Sequence, residues 1–99
     1  MDTNEAMNLL IKNLEDLEST YKDYVSVNIE YIQKKSELWL DTDFATVLGS
    51  KRPTVDEKKA YVNMESLKLR EARDELYYRA EYLRYKIEGY EKIIGVCDE

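Results

Sequence analysis

The sequence predicts an all-α fold: an antiparallel helical hairpin of two long coiled-coil-like helices with a short helical tip. Three observations carry this expectation. Apolar residues recur at helical spacing along both halves of the 99-residue chain. Glycine and proline number only three and one, and the proline and one glycine fall together mid-chain. Charged residues make up 36% and apolar residues 43%, a mixture that suits long helices and is too apolar for disorder. The length fits one domain over residues 1–99, near the size at which a single core is marginal.

The first helix is expected over about residues 4–40. Its inner stripe reads Met7, Leu10, Leu14, Leu17, Tyr21, Val25 and Ile32, with Asn28 the polar member and Ile11 and Ile29 on its flanks. Lys12, Asn13, Glu15, Asp16, Glu18, Lys22 and Asp23 read as solvated. Tyr24, Val27 and Tyr31 fall off the stripe, so the second half is less cleanly amphipathic.

The tip is expected over about residues 41–53. Asp41 or Thr42 is placed to cap a helical turn that stops at Gly49. The second helix, expected over about residues 54–95, begins at Thr54-Val55-Asp56-Glu57, which matches a capping box directly after Pro53. Its core stripe runs Val62, Leu69, Leu76, Ala80, Leu83, Ile87, Tyr90 and Ile94, passing Gly89 as a mild break. So short a connection between long helices implies antiparallel packing.

The second helix carries a further apolar face, nearly opposite its core stripe: Ala60, Met64, Leu67, Tyr78, Tyr82 and Tyr85. Opposed stripes on one helix call for neighbours on both sides. Self-association, as a homodimer closing a four-helix bundle, is the plainer reading. A docking face for another protein is the sharper one, because Tyr and Arg are enriched at binding hot spots. The run Tyr77-Tyr78-Arg79-Ala80-Glu81-Tyr82-Leu83-Arg84-Tyr85-Lys86 also interleaves rings with bases, as single-strand binders do. Tyr77 and Arg84 lie off the Tyr78/Tyr82/Tyr85 face, however, and Glu81 dilutes the charge.

The residue inventory excludes several kinds of chemistry. Histidine is absent and Cys97 is the single cysteine, which excludes disulfides within the chain, zinc sites of His and Cys, and the commonest catalytic base. Cys97 has acids beside it and no base to activate it, so it reads as incidental. Asp41 and Asp43 are too few oxygen donors for a hard cation and read as cap and solvated acid. Arg70–Asp74 and Glu75–Arg79 fit ion pairs along the helix. No glycine-rich phosphate loop occurs. No enzyme activity, cofactor or metal is expected.

The net charge of −6 argues against broad nucleic-acid affinity and leaves room for a basic partner. No apolar run suits a membrane span, and the acidic amino terminus does not suit a signal peptide. The expected location is the cytoplasm.

Trp39 and Phe44, the only tryptophan and phenylalanine, both fall at the tip. They either close the open end of the core or anchor a partner there, with Asp41, Asp43, Lys51 and Arg52 around them. The stretch Glu37-Leu38-Trp39-Leu40-Asp41-Thr42-Asp43-Phe44, with Lys51-Arg52-Pro53-Thr54 and Glu57-Lys58-Lys59-Ala60-Tyr61-Val62, resembles small uncharacterised phage and prophage helical proteins of Gram-positive bacteria that share a Leu-Trp-Leu-x-Thr-Asp-Phe tip. The resemblance covers the central part of the chain. It implies a phage early protein acting in the bacterial host and supplies no activity. Small acidic phage proteins also act as inhibitors of host defence or host nucleases. Glu15, Asp16, Glu18, Asp23, Glu30 and Glu37 form either such a charge-imitating surface or a plain solvated face.

The resulting expectation is a non-enzymatic phage-type protein acting by protein–protein binding. It would inhibit a host defence or nuclease protein, or assist phage replication or recombination. The alternative is an accessory single-stranded nucleic-acid-binding factor that uses the Tyr/Arg face of the second helix.

Overall fold

In the computed structural model the backbone is described over residues 1–98 and side chains over residues 1–95. Cys97 lies outside the described side chains. Four helices follow in order: α1 Thr3–Asp41, α2 Phe44–Leu48, α3 Val55–Glu65 and α4 Leu67–Asp98. No strand occurs among the described residues. Helix α1 packs against α4 as in an all-α helical hairpin. Two compact units divide the chain, one of Met1–Val25 with Asp74–Glu99 and the other of Ser26–Arg73.

In the first unit, the Asp2 carboxylate accepts the Glu5 N–H at 2.8 Å and so caps α1. The buried side chains are Ala6, Asn13 and Thr20 of α1 and Ala80, Leu83 and Ile87 of α4. Residues 6, 13 and 20 are seven apart, the repeat of a coiled-coil seam. Leu10, Leu17 and Leu76 are half-buried beside them. The two polar members are satisfied within their own helix. Asn13 Nδ2 donates to the Leu9 carbonyl and Thr20 Oγ1 to the Asp16 carbonyl, both at 2.7 Å. This offsets most of the cost of burying them.

This seam corrects the expected inner stripe of α1. Met7, Leu14, Tyr21, Val25 and Ile32 are exposed, and only Leu10, Leu17 and the polar Asn28 of that stripe are half-buried. The seam has slipped by one residue, about 100° around the helix. Both rows keep the seven-residue repeat, so periodicity alone does not separate them. Leu83 and Ile87 of α4 are large and need small residues opposite to interdigitate at close approach. The row of α1 that is buried is the small or polar one, Ala6, Asn13 and Thr20, and Asn13 lines one groove with Leu83.

The second unit buries Tyr31, Phe44, Val62 and Ser66. Tyr31, expected off the stripe, has Arg73 Cζ 4.7 Å and Lys35 Nζ 5.2 Å from its ring centroid, a cation–π arrangement on a desolvated ring. The capping box is present. Glu57 N donates to Thr54 Oγ1 at 3.1 Å and Thr54 N to Glu57 Oε1 at 3.3 Å.

The second arm is nevertheless not one helix. It is divided at Ser66, where the backbone has φ −102° and ψ 6°. The Ser66 hydroxyl is buried and donates to the Val62 carbonyl at 2.6 Å. A serine bonding back to its own helix loads a carbonyl of the ladder and favours a bend at that turn. Gly89, expected as a mild break, sits inside unbroken α4.

The corrected seam makes a direct stability prediction. In denaturant titrations of dilute protein, Leu83→Ala is expected to cost about 2–4 kcal/mol. Leu14→Ala is expected to cost less than about 1 kcal/mol, because its side chain is half in water already. Equal losses at the two positions would contradict the slipped seam.

Candidate interaction surfaces

At the tip, α2 is set by its caps. Asp43 accepts the Thr46 hydroxyl at 2.7 Å and the Thr46 N–H at 3.3 Å. Gly49 closes the helix in the left-handed conformation at φ 66°, which glycine adopts without steric penalty. These caps direct Phe44 inward, where it is buried between Trp39 and Tyr61, ring centroids 5.9 and 6.0 Å away. Lys58 Nζ lies 5.5 Å from the Phe44 ring. Phe44 therefore organises the tip from within and offers no surface to a partner.

Trp39 remains 41% exposed and Leu40 79%. Both line a groove of about 600 Å³ with Lys35, Ser36, Lys59, Val62 and Asn63. Asp41, Lys51 and Arg52 are exposed, and none of them lines that groove. Sequence reasoning missed Leu40, Lys35 and Lys59. A signal for Leu40 was present, since Leu38, Trp39 and Leu40 are consecutive and one helix face cannot hold all three.

On α4, Tyr78, Tyr82 and Tyr85 are 61–76% exposed. Lys86 Nζ lies 5.2 Å from the Tyr82 ring. Arg79, Tyr82 and Lys86 line a groove of about 280 Å³ with Lys12 and Asp16 of α1. Arg84 turns elsewhere. It lies beside the Tyr21 hydroxyl and the Glu81 carboxylate, the latter at 3.1 Å, and both raise its pKa above the ordinary value. Tyr77 packs on Tyr24 at 6.3 Å and on Tyr78 at 5.8 Å. The aromatic and basic run is thus split between two sides of the helix. In the other unit, Met64 of α3 is exposed, Ala60 is exposed and Leu67 is half-buried.

The third surface is the exposed stripe of α1, whose members other than Trp39 sequence reasoning had placed on the inner stripe or its flanks. Met7, Ile11, Leu14, Tyr21, Val25, Ile29, Ile32 and Trp39 are 40–54% exposed. Among the described residues, no group of three or more carboxylate or cysteine side chains is placed to hold a metal ion. No helix is long and apolar enough to cross a membrane. In comparisons with known proteins the chain matches no family model, no curated protein and no solved structure.

The cap at Asp43 is open to a pH test. Its pKa is lowered from 3.8, first by the Thr46 hydroxyl and then by the Thr46 N–H. A folded pKa below the unfolded one gives stabilisation that is present above the unfolded value and lost as pH falls through the folded one. Titration followed by carboxyl NMR is expected to place the Asp43 midpoint below 3.8, and Thr46→Ala is expected to move it upward. No movement in Thr46→Ala would contradict the cap.

Proposed function

We propose that the chain is a non-enzymatic interaction protein that works by protein–protein binding. The observation that carries this reading is the amount of ordered apolar and aromatic side chain left in solvent: a heptad-spaced stripe on α1, three tyrosines on α4, and Trp39 with Leu40 at the tip. Scattered surface leucines need no explanation, but contiguous rows of this kind mark association surfaces. Tyr and Trp also supply large contact area at low conformational cost. Assembly as a homodimer in a four-helix bundle belongs to this reading.

A phage setting, a cytoplasmic location in a bacterial host, and a host defence protein or a phage replication or recombination protein as partner rest on the resemblance at the tip. Of the surfaces, the tip groove best suits an acidic partner segment. Lys35 and Lys59 line it together with apolar Trp39, Leu40 and Val62.

A second reading, single-stranded nucleic-acid binding, is favoured by one observation: Arg79, Lys86 and Lys12 line the groove that holds Tyr82. Asp16 in that groove and the net charge of −6 weigh against it.

The readings separate in two measurements. Capture from the bacterial host is expected to recover a partner with the parent protein and to lose it with Leu40→Ala/Lys59→Ala, two exposed groove positions outside the packing of Phe44 between Trp39 and Tyr61. A fluorescent oligothymidine is expected to show no binding at low salt. Salt-steep oligonucleotide binding abolished by Arg79→Ala/Lys86→Ala would replace the protein-binding reading with the nucleic-acid one.

A further inference from the structure

The exposed stripe of α1 has an internal order beyond its hydrophobicity. Positions 7, 14, 21, 28 and 35 form one row seven apart, and positions 11, 18, 25, 32 and 39 form the other. Together they make a complete seam of two-stranded coiled-coil type on a helix unbroken from Thr3 to Asp41. All are apolar except Glu18, Asn28 and Lys35. This seam is distinct from the row buried on α1, and its apolar members stay 40–54% exposed, although Arg84 lies beside Tyr21 and Phe44 packs on Trp39.

We propose that this seam binds α1 of a second copy of the chain, antiparallel, in the register that sets Tyr21 against Val25 of the copy. The reading rests on the proposal of an interaction protein and names one of its partners. The evidence for a second copy is self-complementarity. In that register Met7 meets Trp39, Leu14 meets Ile32 and Tyr21 meets Val25, and the two-fold axis repeats each layer. The polar residues meet one another, Glu18 with Asn28. The one mixed layer sets Ile11 against Lys35, whose methylene stem packs on an apolar side chain while its ammonium stays in water.

Shifting the register by one heptad in either direction shortens the contact and sets Val25 against Asn28 or Glu18 against Tyr21. A parallel pair would set Glu18 against Glu18, a like-charge contact. An antiparallel pair about a two-fold axis is also the closed, isologous form that dimers of identical chains favour.

The area agrees. Seven apolar side chains of the seam, each 40–54% exposed, present on the order of 600 Å² per copy, so pairing would bury about 1,200 Å² in all, the lower limit for stable protein interfaces. A contact at that lower limit is one whose monomer–dimer equilibrium concentration controls.

Two measurements test the proposal. In a Cys97→Ser background, Leu14→Cys/Ile32→Cys is expected to give a disulfide-linked dimer under mild oxidation, because position 14 faces position 32 of the copy. Leu14→Cys alone is expected to stay unlinked, as the two positions 14 lie about 27 Å apart in this register. In sedimentation the parent is expected to move from monomer to dimer mass with rising concentration. Leu14→Glu/Val25→Glu is expected to weaken that association by about tenfold or more, since an unpaired charge would be buried, with its helical circular dichroism unchanged.

A parent that remains monomeric at every concentration overturns the proposal. Cross-linking of Leu14→Cys alone overturns the antiparallel register. If the parent is monomeric yet still captures a different protein, the wider interaction reading stands without this one; if it does neither, both fail.

Discussion

The burial of Ala6, Asn13 and Thr20 on α1 together with Ala80, Leu83 and Ile87 on α4 is the packing on which the other features depend. A helix pair can bury one row from each member, and the row that α1 contributes is its smaller and more polar one. Small residues on one helix leave room for large ones on the other, and here Leu83 and Ile87 are the large buried members. Hydrogen bonds from Asn13 and Thr20 to their own helix remove the penalty that would otherwise oppose this choice. The larger aliphatic row is thereby left uncovered, and a short chain with a marginal core gains an external surface able to bury more.

Much of the architecture was legible because local chemistry determines it. Thr54 and Glu57 can satisfy each other's backbone donors only at a helix start, so the second arm begins where its capping box stands. Gly49 marks the end of α2 because the chain there needs a positive φ. The α4 stripe was readable for a different reason. Ala80, Leu83 and Ile87 form an aliphatic row, whereas the opposed face of the helix carries Tyr78, Tyr82 and Tyr85, whose hydroxyls suit a wet surface.

The rest was hidden for equally definite reasons. On α1 the rows through Ala6 and Met7 share one period and differ by a single residue, and hydrophobicity favours the row that the fold does not use. Choosing between them needs the shape of the opposing helix, which is not a local property. Ser66 looked like any mid-helix serine until its hydroxyl proved to be buried and turned onto Val62. Trp39 and Phe44 were read as a pair with a shared role, yet Asp43 and Gly49 turn Phe44 inward and leave Trp39 beside Leu40 in the groove. The groove at the tip is therefore apolar and lined by Lys35 and Lys59, where the sequence had suggested an aromatic pair with Asp41, Asp43, Lys51 and Arg52 around it.

The central claim is that α1 turns its larger apolar row away from its own chain. Hydroxyl-radical labelling of side chains, followed across protein concentration, tests this most directly. In dilute protein Met7, Leu14 and Tyr21 should label readily while Leu83 and Ile87 stay protected; on concentration the first three should become protected and Tyr78 and Tyr85 should not. Protection of Met7 and Leu14 at the highest dilution would show that they lie in the chain's own core and would contradict the account.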